Sequence, residues 1–238
     1  MTTIKHHPDN TLIRAYAEGT LAPSVSLLLS AHLEYCPKCR AAVQQMEMQL
    51  SDSVVSAESR GQDSATTDRL LAKLLRDLPE IDESSQGNEV MAGSTGEMGS
   101  ISDLPELTLE NRRFVLPQVF AKQLHKASAW SRLPGRLHQA RLGIDNSHIH
   151  FIHMDRDSQV PPHTHRGTEH TLVVHGGFAD ERGDYRIGDF VTLDGRHTHQ
   201  PHTDDVEDCL VISALDAPLQ FTSGLARMLN PLSGLFFR

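Results

Sequence analysis

Between residues 84 and 106 the chain reads SSQGNEVMAGSTGEMGSISDLPE, a Gly- and Ser-rich acidic stretch with no Lys or Arg and no apolar period. Such a segment has too little apolar surface to offset the entropy of ordering it, so it reads as a linker. It divides the 238 residues into two bodies, 1–83 and 107–238, and each must fold on its own pattern. Two domains are also what the length suggests. No apolar run approaches the roughly 20 residues that span a bilayer. The opening MTTIKHHPDN has no apolar core of a signal peptide, and three cysteines do not make a disulfide framework, so a cytoplasmic protein with no membrane partner is expected. A net charge of -9 argues against direct binding to the phosphates of DNA.

The first body reads as helical. Asp9 or Asn10 caps a first helix with Leu12, Ile13, Tyr16 and Ala17 on one face, ending near Gly19. A second helix runs from Leu21 to Tyr35. Cys36-Pro37 breaks it, because the residue before a proline disfavours the helical region while the proline itself suits the first turn of a new helix. A third helix follows from about Pro37 to Gln49. Residues 51–66 are rich in Ser, Ala and Thr, and a fourth helix, Thr67 to Leu78, carries Leu70, Leu71, Leu74, Leu75 and Leu78 in a stripe that packs internally or meets a partner.

His32, Cys36 and Cys39 straddle the break. One helical turn separates His32 from Cys36, and Cys39 lies in the first turn after Pro37, where a helix N-terminus favours thiolate. The spacing H-x₃-C-x₂-C thus gathers three ligands of the kind that bind zinc. A structural zinc needs a fourth, which His6 or His7 can bring from the segment before the first helix; His7 is the nearer to it.

The second body changes character. Short alternating runs (His148–Ile152, Thr171–Val174, Cys209–Ile212) appear, separated by turn signals such as Asp145-Asn146, Gly176-Gly177, Gly188-Asp189 and Asp194-Gly195. Regularly spaced short strands predict an all-β sandwich or barrel. Within it, His163 and His165 share a strand face, and Glu169 follows four residues later. Two imidazoles and a carboxylate suit Zn²⁺, Fe²⁺, Mn²⁺ or Ni²⁺. His148, His150 and His153 carry no assigned role, His170 and His175 read as supporting residues, and Cys209 reads as a small buried hydrophobe. Trp130 and the apolar tail Leu235–Phe237 read as core, the tail also as a possible docking segment.

These motifs resemble known families. His7, His32, Cys36 and Cys39 match the signature of the zinc-binding anti-sigma fold, whose helices wedge between the promoter-binding regions of a sigma factor. His163, His165, Glu169 and Gly176 match the first cupin motif, H-x-H-x₃₋₄-E-x₆-G. Gly188 and His199 have the spacing of the second, with His197 and His202 as rivals for the last ligand. The chain departs from the cupin pattern at Asp157, where the first motif opens with Gly, and at Asp194, Arg196 and Thr203 in the second. The order of the two modules, together with H-H-x₄-L-x₃-Y-A-x-G-T-L from His6 to Leu21, resembles the ChrR family of cupin-bearing anti-sigma factors.

That resemblance implies an α+β multidomain chain: an all-α zinc anti-sigma domain, a linker, and an all-β cupin of the double-stranded β-helix or jelly-roll type. It implies Zn²⁺ in the N-terminal domain and a second divalent metal, Zn²⁺ first among the candidates, on His163, His165, Glu169 and His199. It also implies one-to-one sequestration of a group IV (extracytoplasmic-function) sigma factor, released under oxidative stress such as singlet oxygen, and no catalytic activity. The alternative reading is a dioxygenase-like cupin metalloenzyme with a helical appendage.

Overall fold

The computed structural model describes residues 3–58, 76, 104–144, 147–217, 219–222 and 230. Three helices come first: α1 (Asn10–Ala17), α2 (Pro23–Tyr35) and α3 (Pro37–Glu58). Asp9 caps α1, its carboxylate accepting the Leu12 amide at 2.8 Å. α2 opens with Pro23, whose missing N–H is no loss in a first turn. Cys36 leaves α2 in an extended conformation and Pro37 starts α3. α3 continues nine residues past the expected end at Gln49, because Ser51–Glu58 contains neither Gly nor Pro and Ser and Ala alone do not stop a helix. The leucine stripe expected at 67–78 lies outside the described residues, as do the apolar tail and most of 84–106.

Strand pairing begins at Glu106. β1 (Glu106–Leu109) and β2 (Arg112–Val115) form a hairpin. β3 (Ser131–Leu133), β4 (Leu137–Ile144), β5 (Ser147–Met154), β10 (Cys209–Leu215), β7 (Glu169–Asp180) and β8 (Gly183–Arg186) are neighbours in one antiparallel sheet, and β9 (Phe190–Leu193) also pairs with β7. β6 (His163–His165) pairs with β11 (Leu219–Phe221). A three-helix unit followed by this antiparallel assembly is an α+β chain with a cupin-type second part.

The main sheet has two apolar faces. Leu137, Met154, Val173, Cys209 and Val211 point inward, to the barrel interior. Ala140, Phe151, Leu172, Leu210 and Ile212 point outward and pack with Leu28 and Leu29 of α2, Phe114 of β2 and Phe120. Leu28 and Leu29 have no exposed surface. The helical unit and the cupin therefore share one core, and truncating either leucine to Ala costs about 2–5 kcal/mol. This double burial corrects the alternation expected of Thr171–Val174 and Cys209–Ile212, since strands covered on both faces need no polar side and are buried residue after residue.

One departure from the cupin sequence pattern and one match to it become intelligible. Asp157, standing where the motif has Gly, takes φ +49°, a left-handed conformation that Asp tolerates better than most residues. Gly176 has φ +60°, and a Cβ there would come within 1.8 Å of the Asp208 carbonyl oxygen, so only glycine fits.

Candidate metal centres

The N-terminal group forms where three segments meet. His32 lies in the last turn of α2, Cys36 sits in the break, Cys39 lies in the first turn of α3, and His7 comes from the extended segment before α1. One ligand atom from each lies within 4.8 Å of all the others. His7 Nδ1 is 3.5 Å from Cys36 Sγ and 3.4 Å from Cys39 Sγ. The His32 ring is buried, and its Nδ1–H donates to the Gly188 carbonyl at 2.8 Å. That leaves Nε2 as a buried lone pair with no partner in the protein, the arrangement in which a backbone carbonyl orients a metal-binding imidazole.

Electrostatics point the same way. Burial lowers the His32 pKa to about 4, so the ring is neutral at pH 7. Burial and the adjacent Cys36 push the Cys39 thiol up to about 12. A bound metal reverses that preference. Two thiols and two neutral imidazoles are a zinc set. His6 does not join the group; its ring lies against Tyr185 at 4.7 Å.

The cupin part also contributes to this group. The Asp189 carboxylate is buried and accepts the amides of Lys5 at 2.7 Å, His6 at 2.9 Å and Arg186 at 2.9 Å. The Phe190 amide donates to the His6 carbonyl at 3.0 Å. The β8–β9 turn therefore grips the segment that carries His7, while Gly188 holds His32.

The second group lies in the barrel. His163 and His165 alternate along β6, Glu169 opens β7, and His199 is brought alongside His163 by a two-way backbone bridge. All four are buried, and their ligand atoms again lie within 4.8 Å of one another. His163 Nδ1–H donates to the Pro161 carbonyl, and His199 Nδ1–H to Asp180 Oδ2 at 3.2 Å. Both Nε2 atoms are then bare, yet they are 2.9 Å apart. Two lone pairs at that distance repel unless a cation lies between them. A shared proton is disfavoured because burial pulls the His163 pKa down to about 4.

His165 Nε2 completes the convergence, 3.2 Å from both His199 Nε2 and Glu169 Oε2. Burial opposes ionisation of Glu169, but the surrounding imidazoles outweigh it and hold the carboxyl below its ordinary pKa. His197 stays outside the group, with its Nδ1 2.9 Å from Asp194 Oδ1. His202 stays outside as well. Asp180, at the end of β7, is the participant that sequence reasoning missed; no motif position marks it. Burial alone would raise its carboxyl, and hydrogen bonds from His199 and the Arg182 amide outweigh that and hold it low.

Three bare or bridging imidazole nitrogens and one carboxylate oxygen suit a borderline divalent ion. Beside them lies a cavity of about 70 Å³ walled mainly by apolar side chains, including Leu137, Met154 and Val211.

A helical unit sharing its core with a cupin barrel defines a class by its fold, and the comparisons agree with that fold. Residues 121–217 match the family described as the ChrR cupin-like domain. The likeness extends through the helical part. The anti-sigma-E factor ChrR of Cereibacter sphaeroides (strain ATCC 17023) is 29% identical over 241 residues, covering 99% of each chain. A crystal structure of Rhodobacter sphaeroides SigE in complex with the anti-sigma ChrR matches with a TM-score of 0.64 and 26% identity, over 90% of this chain and 100% of that one.

Proposed function

We propose that the protein is a zinc-dependent anti-sigma factor that sequesters a group IV (extracytoplasmic-function) sigma factor one-to-one. The observation that carries this reading is the match, along nearly the whole chain, to a relative solved in complex with its sigma factor. In this reading His7, His32, Cys36 and Cys39 hold a structural Zn²⁺. Because such a metal contributes directly to folding, it would fix the helices in their sigma-binding arrangement. His163, His165, Glu169 and His199 hold a second divalent ion, Zn²⁺ first among the candidates, in a cytoplasmic sensor of oxidative stress such as singlet oxygen.

When bound, the first ion neutralises two thiolates and the second supplies a reactive, electron-poor centre inside the barrel. The chain's own residues do the rest. Asp180 orients His199, and Pro161 orients His163. β9 runs from Phe190, next to Asp189, to Leu193, which is paired in register with Glu169. A change at Glu169 thus has a four-residue path to the turn that grips His7 and His32. Such a path controls sigma binding only if the two arrangements differ in sigma affinity. The enzyme reading fares worse, since about 70 Å³ is far below the roughly 300 Å³ at which small-molecule pockets begin.

The test is copurification of the full chain with extracytoplasmic-function sigma factors from its own genome, with mass measured by light scattering. A one-to-one complex that dissociates on zinc chelation and on illumination with a photosensitiser is expected. A zinc-replete chain that captures none of those sigma factors refutes the proposal. A complex indifferent to the photosensitiser refutes the sensing half alone.

A further inference from the structure

We propose a third metal site, formed by His138, His153 and Asp155 on the outer face of the sheet and taking a divalent first-row transition ion. It is separate from both groups above. His138 of β4 and His153 of β5 face each other in the antiparallel register, and Asp155 follows His153 by two residues on the same side. One ligand atom from each lies within 4.8 Å of the other two.

The hydrogen bonds make the case. His153 has no exposed surface, and its Nε2 faces the Asp208 carboxylate at 2.9 Å. A carboxylate is the strongest acceptor nearby and fixes the ring proton on Nε2. The Nδ1 lone pair is then left bare, buried and without a hydrogen-bond partner, with Asp155 Oδ1 at 4.0 Å. His138 is 9% exposed, and neither of its ring nitrogens has a partner in the protein. A buried imidazole lacking both hydrogen bonds costs free energy that a bound cation would recover. Asp208, His153 and the vacant Nδ1 reproduce the carboxylate–histidine pairing found behind metal ligands.

The remaining charges fit. Arg112 Nη1 donates its two N–H groups to Asp208 Oδ2 at 2.8 Å and Asp155 Oδ1 at 3.1 Å, so its 3.1 Å approach to the protonated His153 Nε2 is not a hydrogen bond. His175 Nε2 is 3.3 Å from Asp208 Oδ1. Two carboxylates against one guanidinium leave a net negative charge, and Asp155 keeps its second oxygen for the metal. Two imidazoles and one carboxylate select Zn²⁺, Ni²⁺, Co²⁺ or Fe²⁺ over the all-oxygen Mg²⁺ and Ca²⁺. His138 and Asp155 also border a cavity of about 320 Å³, which gives water access to the remaining coordination positions.

The experiment is Zn²⁺ equilibrium dialysis of the full chain against a weak chelator, comparing wild type with His138→Gln and Asp155→Asn. His138→Gln is expected to bind one equivalent fewer than wild type under identical conditions. Asp155→Asn, isosteric and at a side chain 23% exposed, keeps the fold and weakens that same equivalent at least about tenfold, the least that even an outer-sphere change costs. Because each value is a difference from wild type, it is independent of occupancy at the other two groups and of sigma binding. Zinc content and affinity unchanged from wild type in Asp155→Asn overturn the proposal, whatever His138→Gln does.

Discussion

Replacing Asp189 with Ala removes the acceptor of three backbone amides, from Lys5, His6 and Arg186, at 2.7–2.9 Å. Hydrogen bonds to a charged group contribute about 1.5–3 kcal/mol each, but water reaches part of this region once the carboxylate is gone. We therefore expect a loss of about 3 kcal/mol in global stability. The more telling effect is on zinc. Two of the three amides belong to residues directly before His7, so the change frees one ligand while leaving all four present. Loss of a supporting partner typically lowers metal affinity 10- to 100-fold, or about 1.4–2.7 kcal/mol. The assay is competition between the full chain and a chromophoric chelator. Asp189→Asn, which keeps one acceptor oxygen, should fall between wild type and Asp189→Ala. A folded Asp189→Ala protein with wild-type zinc affinity would refute the claim that the cupin turn holds the N-terminal group.

Further outcomes are expected. His199→Ala should lose the cupin ion, measured by elemental analysis, whereas His197→Ala should retain it. Gly176→Ala should destabilise the chain by several kcal/mol, at least about 3, because its Cβ meets the Asp208 carbonyl at 1.8 Å in a positive-φ backbone; urea midpoints measure this. Acid should unfold the protein in part through His150. Burial lowers its pKa from 6.5 to about 4, and it faces the Gln139 amide nitrogen at 2.7 Å. In that window the unfolded ring binds a proton that the folded ring refuses, so stability falls as pH drops from 6.5 to 4, by up to about 3 kcal/mol, the loss being complete below both values. His150→Phe should flatten that slope in urea titrations at stepped pH.

Both principal His/Cys/Glu clusters were legible in part because much of their geometry is local. His32, Cys36 and Cys39 span consecutive turns around one proline, and His163, His165 and Glu169 occupy one strand and its exit. His7 was reached only as the nearer of two candidates, His6 and His7, and His199 only through motif resemblance, since each reaches its group from a distant segment. Asp180, Asp189 and the His138–His153 pair were not legible. Asp189 meets Lys5 across 184 positions, and no periodicity reports a contact at that range. His138 and His153 become neighbours only once the register of β4 against β5 is known. The strand interiors were underestimated for a related reason: apolar alternation shows when one face is wet, and here α2 and the β1–β2 hairpin cover the outer one.

Leu28 and Leu29 have no exposed surface because α2 lies on the sheet. In terms of modular exchange, the two halves of this chain are not interchangeable parts. A helical unit grafted onto a foreign sensor would carry two naked leucines and a His32 without its carbonyl partner. Recombination that shuffles such sensors must bring along the complementary face formed by Phe151, Leu172, Leu210 and Ile212, or invent one. Inheritance should therefore couple substitutions at Leu28 and Leu29 to those four positions more tightly than to the rest of the helical unit.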